Sequence, residues 1–298
     1  MSIKVQNISK SYSKTSAIES ISFEVKQGEL FGLIGPDGAG KTTLFRILTT
    51  LLLPNKGTAT VGGFDVVKDF KSIRSTVGYM PGKFSLYLDL TVEENLTFFA
   101  TLFGTTLKEN YKRIKDIYSQ IEPFKKRKAG DLSGGMKQKL ALCCALIHDP
   151  KILFLDEPTT GVDPVSRKEF WEMLQRLQQK GITILVSTPY MDEAALCDTI
   201  ALLQKGKILK IDSPQNIVEK YEKKIFAIST ENTYQLLLDL KKYPTRYSVY
   251  IFGEFVHYID KDSHFDPKNL YDYLSKNKHL NIIIKVSIPT IEDVFMDL

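Results

Sequence analysis

The sequence predicts an α/β fold. It has a largely parallel core, an antiparallel β layer at the N-terminus, an inserted helical subdomain over about 83–150 and a small C-terminal α+β domain. Three observations carry this. Apolar runs of strand length at Leu30–Ile34, "KILFLDEP" (151–158) and "ITILVST" (182–188) alternate with segments of helical periodicity, as in a parallel sheet with crossover helices. Upstream, "IKVQNISKSY" and "AIESISFEVKQGELFGLIG" alternate apolar and polar residues, with Gly28 as a turn, which suits half-buried strands. Between the buried run at 30–34 and the first helical segment lies a glycine-rich loop, "GPDGAGKTT" (35–43).

The elements follow in chain order. The helix after the glycine-rich loop begins near Gly40 and must stop before Pro54. "TVEENLTFFATLFG" opens with Thr91 and Glu94 at capping-box spacing, and Val92, Leu96, Phe99 and Phe103 then mark one helical face. Lysine-rich helical sequence continues to about residue 130. "SRKEFWEMLQRLQQ" puts Phe170, Leu174 and Leu177 at helical spacing, flanked by Trp171 and Met173, a set suited to core packing. The composition shifts near residue 220, after "EKYEKK", dividing the chain into a main domain over 1–220 and an accessory domain over 221–298. Strand-like runs at 225–229, 248–259 and 281–288, with helical patches between, make the second domain α+β.

Bulk composition narrows the function. Of 298 residues 43% are hydrophobic and 25% charged, the proportions of an ordinary globular protein. Forty basic and 35 acidic residues leave a net charge of +5, with the lysines scattered. Such a surface is solvated first and mildly attractive to anions second. No basic stripe interleaved with aromatics appears, so no nucleic acid is expected as a partner. Cys143, Cys144 and Cys197 lack metal or redox spacing. The first two sit in "LALCCALI" as small core residues, which suits a reducing cytosol. His148, His257, His264 and His279 form no ligand pattern and read as surface or packing residues. The N-terminus has no apolar core of signal-peptide length, and no run approaches the roughly 20 apolar residues of a membrane span. A membrane role is therefore expected to come through a partner.

The chemistry concentrates in three motifs. "GPDGAGKTT" fits the phosphate-loop pattern G-x-x-x-x-G-K-[ST], whose glycines let backbone N–H groups turn toward phosphate oxygens. Gly35, Pro36, Asp37, Gly38, Ala39, Gly40, Lys41, Thr42 and Thr43 are thus candidates to bind a nucleotide, making this a P-loop nucleotide-binding core. Lys41 reaches the β and γ phosphates, and the Thr42 hydroxyl is a candidate ligand for Mg²⁺. "ILFLDE" is an apolar strand ending in two carboxylates. Asp156 is placed to hold the Mg²⁺ shell, and Glu157 to polarise an attacking water. "LSGGMKQKL" (132–140) reads as a helix start, with Ser133 as N-cap and Gly134 and Gly135 in the first turn. Its exposed amides and hydroxyl suit a γ-phosphate.

In this order the phosphate loop, LSGG and "FLDEPTTGVDP" resemble the ATP-binding subunit of an ABC transporter, across roughly residues 1–220. The resemblance implies an ATPase that works as a dimer, with a second copy or with another ATP-binding subunit. Each ATP then lies between one subunit's phosphate loop and the other's Ser133, Gly134 and Gly135. It implies an integral membrane transport subunit as partner, and hence a peripheral place at the cytoplasmic face of the plasma membrane. Tyr12 stands where the family stacks an aromatic on adenine, and Asp163 marks the loop that crosses the dimer interface. Phe84, Leu86 and Tyr87 lie in the stretch that touches the membrane subunit. The ending "IPTIEDVFMDL" is similar to the tail of subunits that serve exporters.

Two positions depart from the family pattern. Gly82 stands where a glutamine usually follows "GYMP", and Pro81–Gly82 has the composition of a type II turn. Pro189 stands where a histidine usually follows "ST", and it brings neither a side-chain donor nor a backbone N–H. Both losses fall on the γ-phosphate side, while Tyr12, Lys41, Thr42, Asp156 and Glu157 remain. The expectation is a slow ATPase that binds ATP well, and the alternative is an ATP-dependent switch that does not hydrolyse.

Overall fold

A computed structural model describes every residue except Met1, Lys14, Phe84 and Ser263. The chain divides into two compact units, Met1–Pro214 and Gln215–Leu298. The division thus falls upstream of the composition shift at 220.

In the first unit, strands β1 (Ile3–Tyr12) and β2 (Thr15–Val25) form an antiparallel hairpin. Strand β3 (Leu30–Ile34) is wholly buried, and helix α1 (Lys41–Leu48) follows it. Strands β4 (Lys56–Val61) and β5 (Phe64–Asp65) then join the hairpin in a four-stranded sheet of order β2-β1-β4-β5. Helix α2 (Phe70–Thr76) leads into β6 (Val77–Met80). The chain next leaves the sheet for α3 (Val92–Leu102), α4 (Leu107–Tyr118) and α5 (Gly134–Leu146). It returns through β7 (Ile152–Asp156), α6 (Pro164–Gln179), β8 (Thr183–Thr188), α7 (Met191–Ala194), β9 (Thr199–Gln204) and β10 (Lys207–Asp212). The second sheet has the order β10-β9-β3-β8-β7-β6. All its pairings are parallel except the edge pair β9–β10.

The alternation in β1 and β2 and the continuous apolar runs in β3, β7 and β8 have one physical cause. The first sheet buries one face and the second buries both. Ile3, Val5, Ile21 and Phe23 on the first sheet meet Phe31 and Phe154 on the second, and Leu44, Phe45 and Leu48 of α1 join the same core. Burying these side chains stabilises the unit by roughly 1.5–3 kcal/mol each. At α3 the capping box forms as its spacing predicts: Thr91 Oγ1 accepts from Glu94 N, and the Glu94 carboxylate accepts from Thr91 N at 2.7 Å. Phe170, Trp171, Met173, Leu174 and Leu177 of α6 are all buried. Cys143, Cys144 and Cys197 are buried too, and burial pushes all three thiols up.

Helix α8 (Pro214–Glu219) begins at the division between the units. The second unit runs β11 (Ile225–Ser229), α9 (Thr233–Leu240), β12 (Arg246–Phe252), β13 (Phe255–Asp260), α10 (Pro267–Lys276), β14 (Ile283–Ser287) and α11 (Ile291–Asp297). The strand-like run at 248–259 is thus two strands, turned at Gly253 (φ 58°) and Glu254. The βαββαβ succession and the antiparallel order β12-β13-β11-β14 are those of a ferredoxin-like plait. Leu236 and Leu240 of α9 and Leu270 and Leu274 of α10 pack on one face of this sheet. On the other, α11 delivers Asp293 to Tyr250 and His257.

Candidate functional site

The phosphate loop hangs between neighbouring strands of the parallel sheet. Gly35 N donates to the Thr188 carbonyl of β8 at 3.3 Å, and a Cβ on Gly35 would collide with the Leu203 carbonyl of β9. Gly40 combines a φ of 108° with a close approach, since a Cβ there would lie 2.6 Å from the Ala17 carbonyl of β2. At these two positions only glycine fits. Between them Pro36, Asp37 and Gly38 are exposed and Ala39 is buried. Lys41 opens α1 with its side chain almost wholly enclosed. Its Nζ donates to the Gly35 carbonyl (2.7 Å) and the Pro36 carbonyl (3.0 Å), and pairs with Glu157 Oε1 at 3.0 Å. Thr42 and Thr43 follow, half-buried in the same turn.

Strand β7 ends in the two carboxylates, Asp156 and then Glu157, which pairs with this lysine. Asp156 is 1% exposed, and its Oδ1 accepts from Ser187 Oγ at 2.7 Å. The parallel register explains the contact, because Asp156 and Ser187 pair across β7 and β8. Glu157 sits in the left-handed region at φ 52°, a conformation that costs roughly 1–3 kcal/mol outside glycine. Its N–H is held there by the Ser187 carbonyl (3.1 Å) and Ser187 Oγ (3.0 Å). Tyr79 of β6 stands nearby. Burial, helped by the charge of Asp156, pushes its phenol up to about 12, so it stays a neutral hydroxyl at physiological pH.

The two departures are absorbed differently. Gly82 does not take the positive φ that a type II turn requires of it, so the chain bends at Gly82 and Lys83 without forming the type II turn. Its small size serves contact instead: a Cβ at 82 would lie 3.0 Å from the Asp156 carbonyl. Pro189 leaves the end of β8 between Thr188, whose hydroxyl accepts from Tyr190 N at 3.1 Å, and α7. The sequence reading assigned no role to Glu193, which receives hydrogen bonds from both Thr188 and Thr159. Its one outward signal is an acid placed in "MDEAALC" just before buried Ala194.

Ser133, Gly134 and Gly135 form a second cluster. Ser133 caps α5, its side chain accepting from Met136 N at 3.3 Å. Gly135 packs so closely on α6 that a Cβ would lie 2.5 Å from Ser166 Oγ, and Gly134 faces the Gly161 carbonyl. Asp163 caps α6 beside them through Ser166 N. Among the described residues no hydrogen bond or ion pair joins this cluster to residues 35–43. Tyr12, which is 45% exposed, ends β1 in a hairpin whose Ala17 approaches the phosphate loop at Gly40.

Phe84 lies outside the described residues. Leu86 is buried and lines a cavity of about 240 Å³ with Leu51, Met80, Pro81, Phe103 and His148. Tyr87 is half exposed, edge-on to Phe98 at 5.0 Å, and its backbone N–H and C=O are both held by buried Asn95. His148 stacks on Phe103 at 3.7 Å, and burial lowers its pKa.

Comparison with known proteins gives a consistent result. A family model described as "ABC transporter" matches residues 18–160. A probable multidrug ABC transporter ATP-binding protein of Escherichia coli is 40% identical over 288 residues. That match covers 95% of this chain and 49% of the relative, so the chain spans about half that protein's length. The Nod factor export ATP-binding protein I of Rhizobium sp. (strain N33) is 34% identical over 302 residues, covering 100% of this chain and 97% of the relative. Among solved structures, an ATP-binding subunit of an ABC transporter aligns with a TM-score of 0.67 at 28% identity, over 74% of this chain and 93% of that one. A dimeric ATP-binding cassette in a post-hydrolysis state, bound to ADP and Pi, aligns at 0.64 and 25% identity, over 71% of this chain and 98% of that one.

Proposed function

This chain belongs to the ABC transporter ATP-binding family, and from that premise we propose that it binds ATP and hydrolyses it slowly as the motor subunit of a membrane exporter. The observation that carries the reading is the convergence of Lys41, at the start of the helix after β3, and Glu157, just past the end of β7, at 3.0 Å. Triphosphate oxygens entering the loop compete with Glu157 for the same ammonium. Glu157, once released, is free to polarise a water, and its N–H bonds to Ser187 keep it at the end of β7. Residues 1–220 supply this machinery, and 221–298 act as an accessory domain.

The donor set also fits Mg²⁺. Among the described residues no three His, Cys, Asp or Glu side chains form a metal cage. Mg²⁺ is ordinarily held by one or two carboxylates together with substrate phosphates, and Asp156 and Thr42 offer hard oxygens of that kind. When bound, the ion would neutralise charge on the β and γ phosphates.

Slowness follows from Gly82 and Pro189. Loss of one preorganised donor typically lowers the rate by about 10²–10³, and two that act as a unit lower it by less than the product. Two subunits, identical or different, close around two ATP molecules, with Ser133, Gly134 and Gly135 of each completing the other's site. The relative solved in a post-hydrolysis state, bound to ADP and Pi, is a dimer. Among the described residues no helix is long and apolar enough to cross a membrane. Attachment to the cytoplasmic face of the plasma membrane is therefore assigned to an integral membrane transport subunit, for which the apolar cavity beside Leu86 offers a seat.

The experiment compares Mg²⁺-dependent ATP hydrolysis by the wild-type chain and Glu157→Gln, with ATP binding measured in both. A rate lowered by about 10²–10⁴ with binding retained supports the motor. Binding without hydrolysis in either protein, alone and with the membrane subunit, replaces it with a non-hydrolytic switch.

A further inference from the structure

The end of β8 is also held by a carboxylate with no part in the proposed ATP chemistry. Glu193, in α7, is 2% exposed. Its Oε2 accepts from Thr188 Oγ1 at 2.5 Å, and its Oε1 accepts from Thr159 Oγ1 at 2.8 Å and Arg167 Nε at 3.1 Å. Thr188 Oγ1 in turn accepts from Tyr190 N, which closes the chain around Pro189. The Arg167 guanidinium lies 4.0 Å from the centre of the Tyr190 ring.

An ionised carboxylate is strongly unfavourable in a protein interior unless donors surround it, and three do so here, one of them charged. The two hydroxyl donors belong to segments next to the nucleotide site, and Arg167 reaches in from α6. Thr159 lies in the turn that leaves Glu157, closed by Thr160 N to the Glu157 carbonyl (3.3 Å) and Val162 N to the Thr159 carbonyl (3.2 Å). Thr188 adjoins Ser187, which holds Asp156 and Glu157, and its own carbonyl accepts from Gly35 N. Successive strand residues face opposite sides, so Ser187 and Thr188 fasten the β8 exit from two directions.

We propose that Glu193 is a positioning residue, fixing the turn after Glu157 and the β8 exit in one relation. The inference rests on the reading that Glu157 acts on ATP. It also assigns a consequence to Pro189: with no donor on that side chain, the exit is fixed from behind, through Thr188 and Tyr190.

The test uses the full chain with Glu193→Gln, Thr159→Val and the double variant. Glu193→Gln should lower kcat about 10–100-fold, with ATP affinity and KM within about twofold of wild type, and Glu193→Asp should recover part of the loss. The double variant should fall no more than about twofold below Glu193→Gln, because the two side chains act as one unit. Hydrogen exchange should rise about tenfold at the amides of both Val162 and Tyr190, on separate segments that the substitution leaves intact. Wild-type kcat in a variant that Trp171 emission reports as folded, or faster exchange at Tyr190 alone, overturns the proposal. Should Glu193→Gln not fold, Thr159→Val gives the same two readings. If wild type and Glu157→Gln prove equally inactive, the ATPase reading falls, and exchange still decides whether Glu193 couples the two segments.

Discussion

The phosphate loop and the exits of β7 and β8 meet at Lys41 and Glu157, yet they are built by different means. In the loop, backbone geometry dictates residue type: Gly35 has a carbonyl where a Cβ would go, and Gly40 has both a carbonyl and a φ of 108°. At the exits, side chains hold one another. Ser187 bridges Asp156 and the Glu157 N–H, and Glu193 gathers Thr159, Thr188 and Arg167. A site of the first kind tolerates almost no substitution at its key positions. In one of the second kind the cost of a substitution falls on the side chains that the lost member held, as at Glu193, and Gly82 and Pro189 lie in that region.

Substitutions can break or sharpen this contrast. The largest effect is expected at the loop, where Gly35→Ala should destabilise the first unit by about 3 kcal/mol or leave it unfolded. Thermal melting checks this, and a melt close to wild type would show that the loop yields as readily as the exits. The second unit carries its own relay. Burial alone would raise the pKa of Asp293, but hydrogen bonds from His257, Tyr250 and Thr290 outweigh it and hold the carboxyl at about 2, below its ordinary 3.8. A lowered folded-state pKa means stability that is present above about pH 4 and lost as pH falls toward 2, worth on the order of 2 kcal/mol. Asp293→Asn should remove that stability and its acid dependence, seen in melting from pH 6 to 2, while ATP binding stays unchanged.

Smaller effects separate the two departures. Pro189→His should raise kcat up to about tenfold if a missing donor is what slows hydrolysis. Gly82→Gln should instead lower stability by about 1 kcal/mol and leave kcat no higher, because its Cβ presses on the Asp156 carbonyl. A fall in kcat with Pro189→His as well would mean that the two departures form one coordinated change. Rates and melting midpoints of the two single variants decide between these outcomes.

Much of this was readable in advance, for local reasons. The capping box at Thr91 and Glu94 needs only a spacing, and the buried faces of α6 and β7 follow from periodicity. The type II geometry expected at Pro81–Gly82 failed because glycine has two uses, a positive φ and close approach, and dipeptide composition does not distinguish them. The hairpin at 248–259 was read as one run because its two-residue turn interrupts the apolar pattern only briefly.

What the sequence determined by itself is the machinery whose parts are neighbours along the chain: the phosphate loop between a buried strand and a helix, the Asp156–Glu157 pair closing a strand, and the cap at Ser133. What only the tertiary structure decided is which distant side chains serve those parts. Ser187 reaches Asp156 through strand register, Glu193 reaches Thr159 across 34 positions, and Gly82 meets the Asp156 carbonyl. Short-range rules act on backbone dihedrals and periodicity, which a single segment carries. A buried carboxylate finds its donors only after the strands that bear them have paired.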